Sequence, residues 1–82
     1  MPSAEAGRLL HARGRLQYKL ANYEASRVAY AAALAHRHAL DPDGELTAET
    51  TMHLAAATRN TGDHDKAQAL FDIALQLSLI HI

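Results

Sequence analysis

The sequence predicts an all-α fold in which four helices form two antiparallel helix-turn-helix pairs, stacked as a short solenoid. Three observations point there. Residues 21–34, Ala-Asn-Tyr-Glu-Ala-Ser-Arg-Val-Ala-Tyr-Ala-Ala-Ala-Leu, return without a gap as residues 62–75, Gly-Asp-His-Asp-Lys-Ala-Gln-Ala-Leu-Phe-Asp-Ile-Ala-Leu, an offset of 41 residues. Self-similarity at a period of roughly 20–50 residues marks units that bury their apolar faces only against neighbouring units. Alanine dominates while Val, Ile, Phe and Tyr are sparse, which favours helix over strand. The only prolines are Pro2 and Pro42, so no long interior segment is broken by one.

Ser3 suits the N-cap of a first helix running from about Ala4 to Leu20, with Pro2 outside it. Leu9, Leu10, Leu16 and Leu20 keep helical spacing and are its expected apolar face, while Gly7 and Gly14 weaken it. A tight turn at Ala21-Asn22 opens a second helix, about Tyr23 to Ala39. There Ala25, Val28, Ala29, Ala32 and Ala33 form a small-residue stripe, and Tyr30 and Leu34 supply bulk. Asp41-Pro42-Asp43-Gly44 is the strongest loop signal in the chain. Thr47 is the expected N-cap of a third helix, about Ala48 to Thr61, with Leu54 and Ala55 facing inward. Asn60-Thr61-Gly62-Asp63 closes it and leads to a fourth, about Asp65 to Leu79. In that helix Ala67, Leu70, Phe71, Ala74, Leu75 and Leu79 fall on one stripe. The first unit thus spans about residues 4–39, the connecting loop 40–47 and the second unit about 48–76.

The bulk properties exclude several function classes. At 82 residues the chain holds one small domain, near the size where a single core supplies only about 3–5 kcal/mol. It has no cysteine, so no disulfide or thiolate metal site supports it, which fits a cytoplasmic setting. A net charge of −1 gives no general attraction to nucleic acid or to an anionic membrane. The most apolar stretch, Ile73 to Ile82, is broken by Gln76, Ser78 and His81 and is too short for a span of about 20 residues. The N-terminus carries no apolar signal core.

In the second helix of each unit a small residue is followed four residues on by a large aromatic and three further by alanine. These are Ser26, Tyr30 and Ala33, then Ala67, Phe71 and Ala74, each set followed by Leu34 or Leu75. Thr61-Gly62-Asp63-His64 is a Gly-Asp turn, with Ala21-Asn22-Tyr23 as a degenerate copy. Gly14 and Ala55 take the small position of the first helices, and Leu10 and Leu54 two of their large ones. With these residues the chain resembles the tetratricopeptide repeat over about residues 8–77. The 41-residue period, and Leu40-Asp41-Pro42-Asp43 before Thr47 and His53-Leu54-Ala55, are similar to its kinesin-light-chain-like bacterial branch. Asp41, Glu45 and His53 depart from that branch's loop. Arg13 and Gln17 stand where the first unit should bury large residues, so its first helix is expected to fray, to cap the stack or to slip in register. HEAT and armadillo pairs share the period but explain neither the Gly-Asp turn nor the repeated small-aromatic-alanine pattern.

Leu77-Ser78-Leu79-Ile80-His81-Ile82 resembles the translation of CTG TCT CTT ATA CAC ATC, the transposase mosaic-end adaptor of tagmentation sequencing. The sequence is therefore expected to be a fragment cut near Gln76 or Leu77 and tailed with adaptor, the native chain continuing with more repeats.

No constellation for catalysis stands out. The chain has no Gly-rich phosphate loop, no Gly-x-Ser-x-Gly elbow and no His-Glu-x-x-His, and Ser26 sits at a packing position. No enzymatic activity and no cofactor are expected. His36 and His38 point to opposite sides of a helix. His11 and His53 stand within reach across stacked helices, but no acidic or third histidine ligand is expected with them, so surface or groove histidines are predicted. Asp41, Asp43 and Glu45 alternate without the closing Glu of a calcium loop and read as a solvated turn.

The tetratricopeptide resemblance implies a right-handed solenoid whose first helices line a concave groove for an extended peptide or a helix. That groove would present Arg8, His11, Ala12, Arg15, Tyr18 and Lys19 from the first unit. The second would add Glu49, Met52, His53, Ala56, Arg59 and Asn60. Four Arg/Lys against one Glu make it mildly basic, so acidic or carboxylate-ended protein segments are the expected partners. Arg15 and His53 replace two asparagines of the family's carboxylate clamp, which disfavours a chaperone adaptor. The expected function is a protein–protein interaction module within a longer array. The alternatives are a regulatory or ligand-sensing array of a transcriptional regulator or NTPase, and a self-contained homo-oligomeric bundle. Leu75, Leu77, Leu79 and Ile80 would leave an apolar end open to self-association.

Overall fold

A computed structural model describes residues 1–81, and Ile82, the last residue of the expected adaptor tail, lies outside the described residues. The described chain is all-helical: α1 (Ala4–Lys19), α2 (Tyr23–Leu40), α3 (Glu45–Asn60) and α4 (His64–Ile80). Each helix packs mainly on the next in sequence, α1 on α2, α2 on α3 and α3 on α4. The four together measure 29 × 26 × 19 Å.

The helix starts follow from their caps. Ser3 accepts a hydrogen bond from the Ala6 N–H at 3.1 Å, as expected of an N-cap, and Asp63 accepts from Lys66 N–H at 3.2 Å. The expectation for Thr47 is corrected: α3 begins three residues earlier than expected, at Glu45, with Gly44 as its N-cap. Thr47 lies buried in the first turn, where its hydroxyl is 3.0 Å from the Arg37 carbonyl and 2.6 Å from that of Asp41. The Arg37 carbonyl also accepts from the Asp41 N–H at 2.9 Å and that of Asp41 from the Gly44 N–H at 3.0 Å, so the hydroxyl is a further donor to the end of the preceding helix rather than a cap on the start of its own.

The 41-residue echo is also an echo of backbone. Leu20 (φ −84°, ψ 4°) and Thr61 (φ −85°, ψ −5°) end α1 and α3 alike. Next come Ala21 at φ 61° and Gly62 at φ 97°, both left-handed. Asn22 (φ −88°, ψ 72°) and Asp63 (φ −87°, ψ 77°) then start α2 and α4 alike. Alanine at positive φ carries a steric cost that glycine avoids, so the two copies of the turn are equal in shape but not in strain.

The core forms around Tyr30, Leu54 and Ala57, with Tyr18, Ala31, Leu34 and Leu70 packed on it. Here the expected face of α1 is corrected. Leu9, Leu16 and Leu20 are exposed, whereas Gly7, His11 and Gly14 are buried. Close approach of α2 selects small residues: a Cβ on Gly14 would stand 2.7 Å from the Tyr30 ring. The approach is locked by the Ser26 hydroxyl, which donates to the Gly14 carbonyl at 2.8 Å. Val28, Leu75 and Leu79, expected on apolar stripes, are exposed as well. Arg13 is exposed and Gln17 half-buried, lining an open groove with Leu10, Val28 and Ala32. Since α1 is complete and its end matches that of α3 41 residues on, neither fraying nor a register slip accounts for these two polar residues.

Candidate functional site

The side chains that join α1 to α3 come from a helical stripe on each. At one end Asn60 Nδ2 donates to the Tyr18 hydroxyl at 2.9 Å, and Tyr18 packs edge-on against Tyr23 with centroids 5.2 Å apart. Towards the middle, His11 meets His53 edge-on at 4.9 Å and Tyr30 at 5.1 Å. Glu49 and His53 are one turn apart on α3 and therefore share a face.

His11 departs from the expectation of a surface or groove residue, being only 5 % exposed. Its Nδ1 lies 3.1 Å from Thr50 Oγ1, which also accepts from Arg37 Nη1 at 2.8 Å. Its Nε2 lies 3.1 Å from Glu49 Oε1 but has no hydrogen-bond partner. Burial pushes the His11 pKa down to about 4, with His53 and Arg37 adding to the shift and Glu49 opposing it. The ring is therefore neutral near pH 7, and its approach to Glu49 is not an ion pair there. His53 is half-buried, and its Nδ1 donates to the Glu49 carbonyl at 2.8 Å. The expectation that no acidic ligand accompanies the two histidines is corrected. One candidate ligand atom from each of His11, Glu49 and His53 lies within 4.8 Å of the other two.

The remaining groove residues fall into two groups. Arg15, Lys19 and Met52 are exposed, and neither Arg15 nor Lys19 forms an ion pair among the described residues. Arg8 and Arg59 are engaged: Arg8 pairs with Glu5 at 3.3 Å, and the Arg59 guanidinium lies 5.4 Å over the Phe71 ring of α4. Asn60 is held by Tyr18 and by the Ala56 carbonyl at 2.9 Å. Thr50 was not singled out from the sequence, and nothing in its neighbourhood there distinguishes it from Thr51 or Thr58. The Glu49-x3-His53 spacing, by contrast, is visible in the sequence, and only its alignment with His11 needed the fold. Elsewhere His36 Nδ1 accepts from the Ser3 N–H at 3.0 Å, tying the N-terminus to α2. Among the described residues no helix is long and apolar enough to cross a membrane.

These features define an all-helical protein with a polar seam between its first and third helices. Comparison with models of known protein families, with curated proteins and with solved structures finds no match for this chain.

Proposed function

We propose that the chain is a pair of tetratricopeptide-like repeats acting as a protein-interaction module, whose α1–α3 face takes an acidic or carboxylate-ended peptide segment. The observation that carries the reading is the pair of free cations, Arg15 and Lys19, on the helix that shares the His11–His53 and Tyr18–Asn60 contacts with α3. The recurrence of backbone angles and of buried small residues at Ser26 and Ala67, and at Ala33 and Ala74, supports the repeat assignment. In a stack of such units the first helices line one surface. Because Arg8 is ion-paired with Glu5 and Arg59 is turned onto the Phe71 ring of α4, the attraction is assigned mainly to Arg15 and Lys19.

Fluorescence polarisation with a labelled ten-residue Glu/Leu peptide ending in a free carboxylate tests this at low and moderate salt. Binding that weakens with salt and drops at least about five-fold in Arg15→Glu/Lys19→Glu supports it. Equal binding by wild type and double variant rejects it. A second reading, self-association, rests on exposed Leu75, Leu79 and Ile80 along the end of α4.

A further inference from the structure

We propose that His11, Glu49 and His53 form a binding site for a zinc-class divalent cation that staples α1 to α3. The inference is independent of peptide binding. It stands on which ring nitrogens are already held and on the close approach of the three side chains.

At His53, Nδ1 faces a backbone carbonyl, which can only accept, so Nδ1 carries the proton. The neutral ring then has its lone pair on Nε2. A backbone carbonyl on one ring nitrogen is the arrangement that presents the other to a metal. At His11, Nδ1 faces Thr50 Oγ1, itself held by Arg37 Nη1. That leaves Nε2 on the far edge of the ring, in a side chain only 6 % exposed, with no hydrogen-bond partner. A buried polar nitrogen without a partner carries an uncompensated desolvation cost unless something satisfies it. Glu49 Oε1, 3.1 Å away, is close enough to share a ligand with it yet does not lie in line for a hydrogen bond.

The donor set selects the metal. Two imidazoles and a carboxylate suit zinc and its first-row neighbours, whereas calcium and magnesium demand oxygen ligands. In a tetrahedral zinc site, with bonds of about 2.0–2.2 Å, ligand atoms stand about 3.4 Å apart. Binding thus needs the 4.8 Å spread here to close by about 1.4 Å. Glu49 is exposed and His53 half-buried, so both have room to move toward the fixed His11. Three protein ligands leave the fourth position to water.

The test is zinc alone, titrated calorimetrically into the full chain at neutral pH, with melting followed by circular dichroism and cobalt(II) absorption reporting geometry. Expected are one ion per chain, a raised melting temperature and a tetrahedral cobalt spectrum. Glu49→Gln and His53→Ala, at exposed and half-buried positions, should each weaken binding at least ten-fold, while His38→Ala leaves it unchanged. No binding by the wild type overturns the proposal. So does affinity that survives both ligand variants, or uptake that occurs only on dimerisation and vanishes on dilution.

Discussion

At the scale of single residues, His11 carries the most consequence. An imidazole at this position is buried beside Tyr30 and His53, with Arg15, Arg37 and Glu49 as the charged groups around it. Its folded pKa, about 4, lies below the unfolded value of 6.5, so between those pH values the unfolded chain binds a proton that the folded chain refuses. Stability is thus unaffected by this group above about pH 7 and falls as the pH drops through that window. From pH 7 to pH 5 the loss is about 2 kcal/mol. Urea unfolding in the presence of a chelator checks this, with His11→Gln expected to lose about 2 kcal/mol less over the same interval. An equal loss in both proteins would show that His11 does not titrate as described. Gly14 is the other sensitive residue. A methyl there meets the buried Tyr30 ring, which has no room to retreat, so Gly14→Ala should destabilise by about 1–2 kcal/mol despite alanine's better helix propensity. A more stable Gly14→Ala protein would contradict the close packing of α1 on α2.

Among the helices, existence and order were legible in the sequence because turn chemistry is local. Ser3, Asp41-Pro42-Asp43-Gly44 and Gly62-Asp63 each act on backbone groups within a few residues, and the boundaries fall within about three residues of expectation. The buried face of α1 was not legible. Leu9 and Leu16 form one stripe, and Gly7, His11 and Gly14 form another at equally helical spacing. Hydrophobicity ranks the first higher, but the approach of Tyr30 and Ser26 from α2 requires the second, and that approach is a tertiary fact. The same holds for the seam: Glu49-x3-His53 is a local spacing, while its junction with His11 depends on how α1 lies beside α3. The paired turns allow a prediction of opposite sign. Gly62→Ala places a Cβ at φ 97° and should cost about 1 kcal/mol, whereas Ala21→Gly relieves φ 61° and should be neutral or stabilising by up to about 1 kcal/mol. Thermal melts read both, since about 1 kcal/mol moves the midpoint of a domain this size by roughly 4–8 °C. Destabilisation by Ala21→Gly as large as that by Gly62→Ala would mean that the two turns are not equivalent.

For the molecule as a whole, the proposed pair of repeats offers few interfaces over which to sum stability, and repeat arrays normally need about three. The exposed Leu75, Leu79 and Ile80 add an apolar end that favours association. The 82-residue chain should therefore be marginally stable or self-associating, with Leu79→Glu/Ile80→Glu shifting it toward monomer in sedimentation. A sharp monomeric melt well above about 65 °C would contradict this, as ordinary mesophilic domains melt below that. The interaction role itself is tested most directly by amide NMR on the full chain titrated with the Glu/Leu peptide. Shifts clustered at Arg15, Lys19, Met52 and His53, saturating at one peptide per chain, are the predicted result. Saturating binding with shifts confined to α2 and α4, or no shifts at millimolar peptide, would contradict a binding face between α1 and α3.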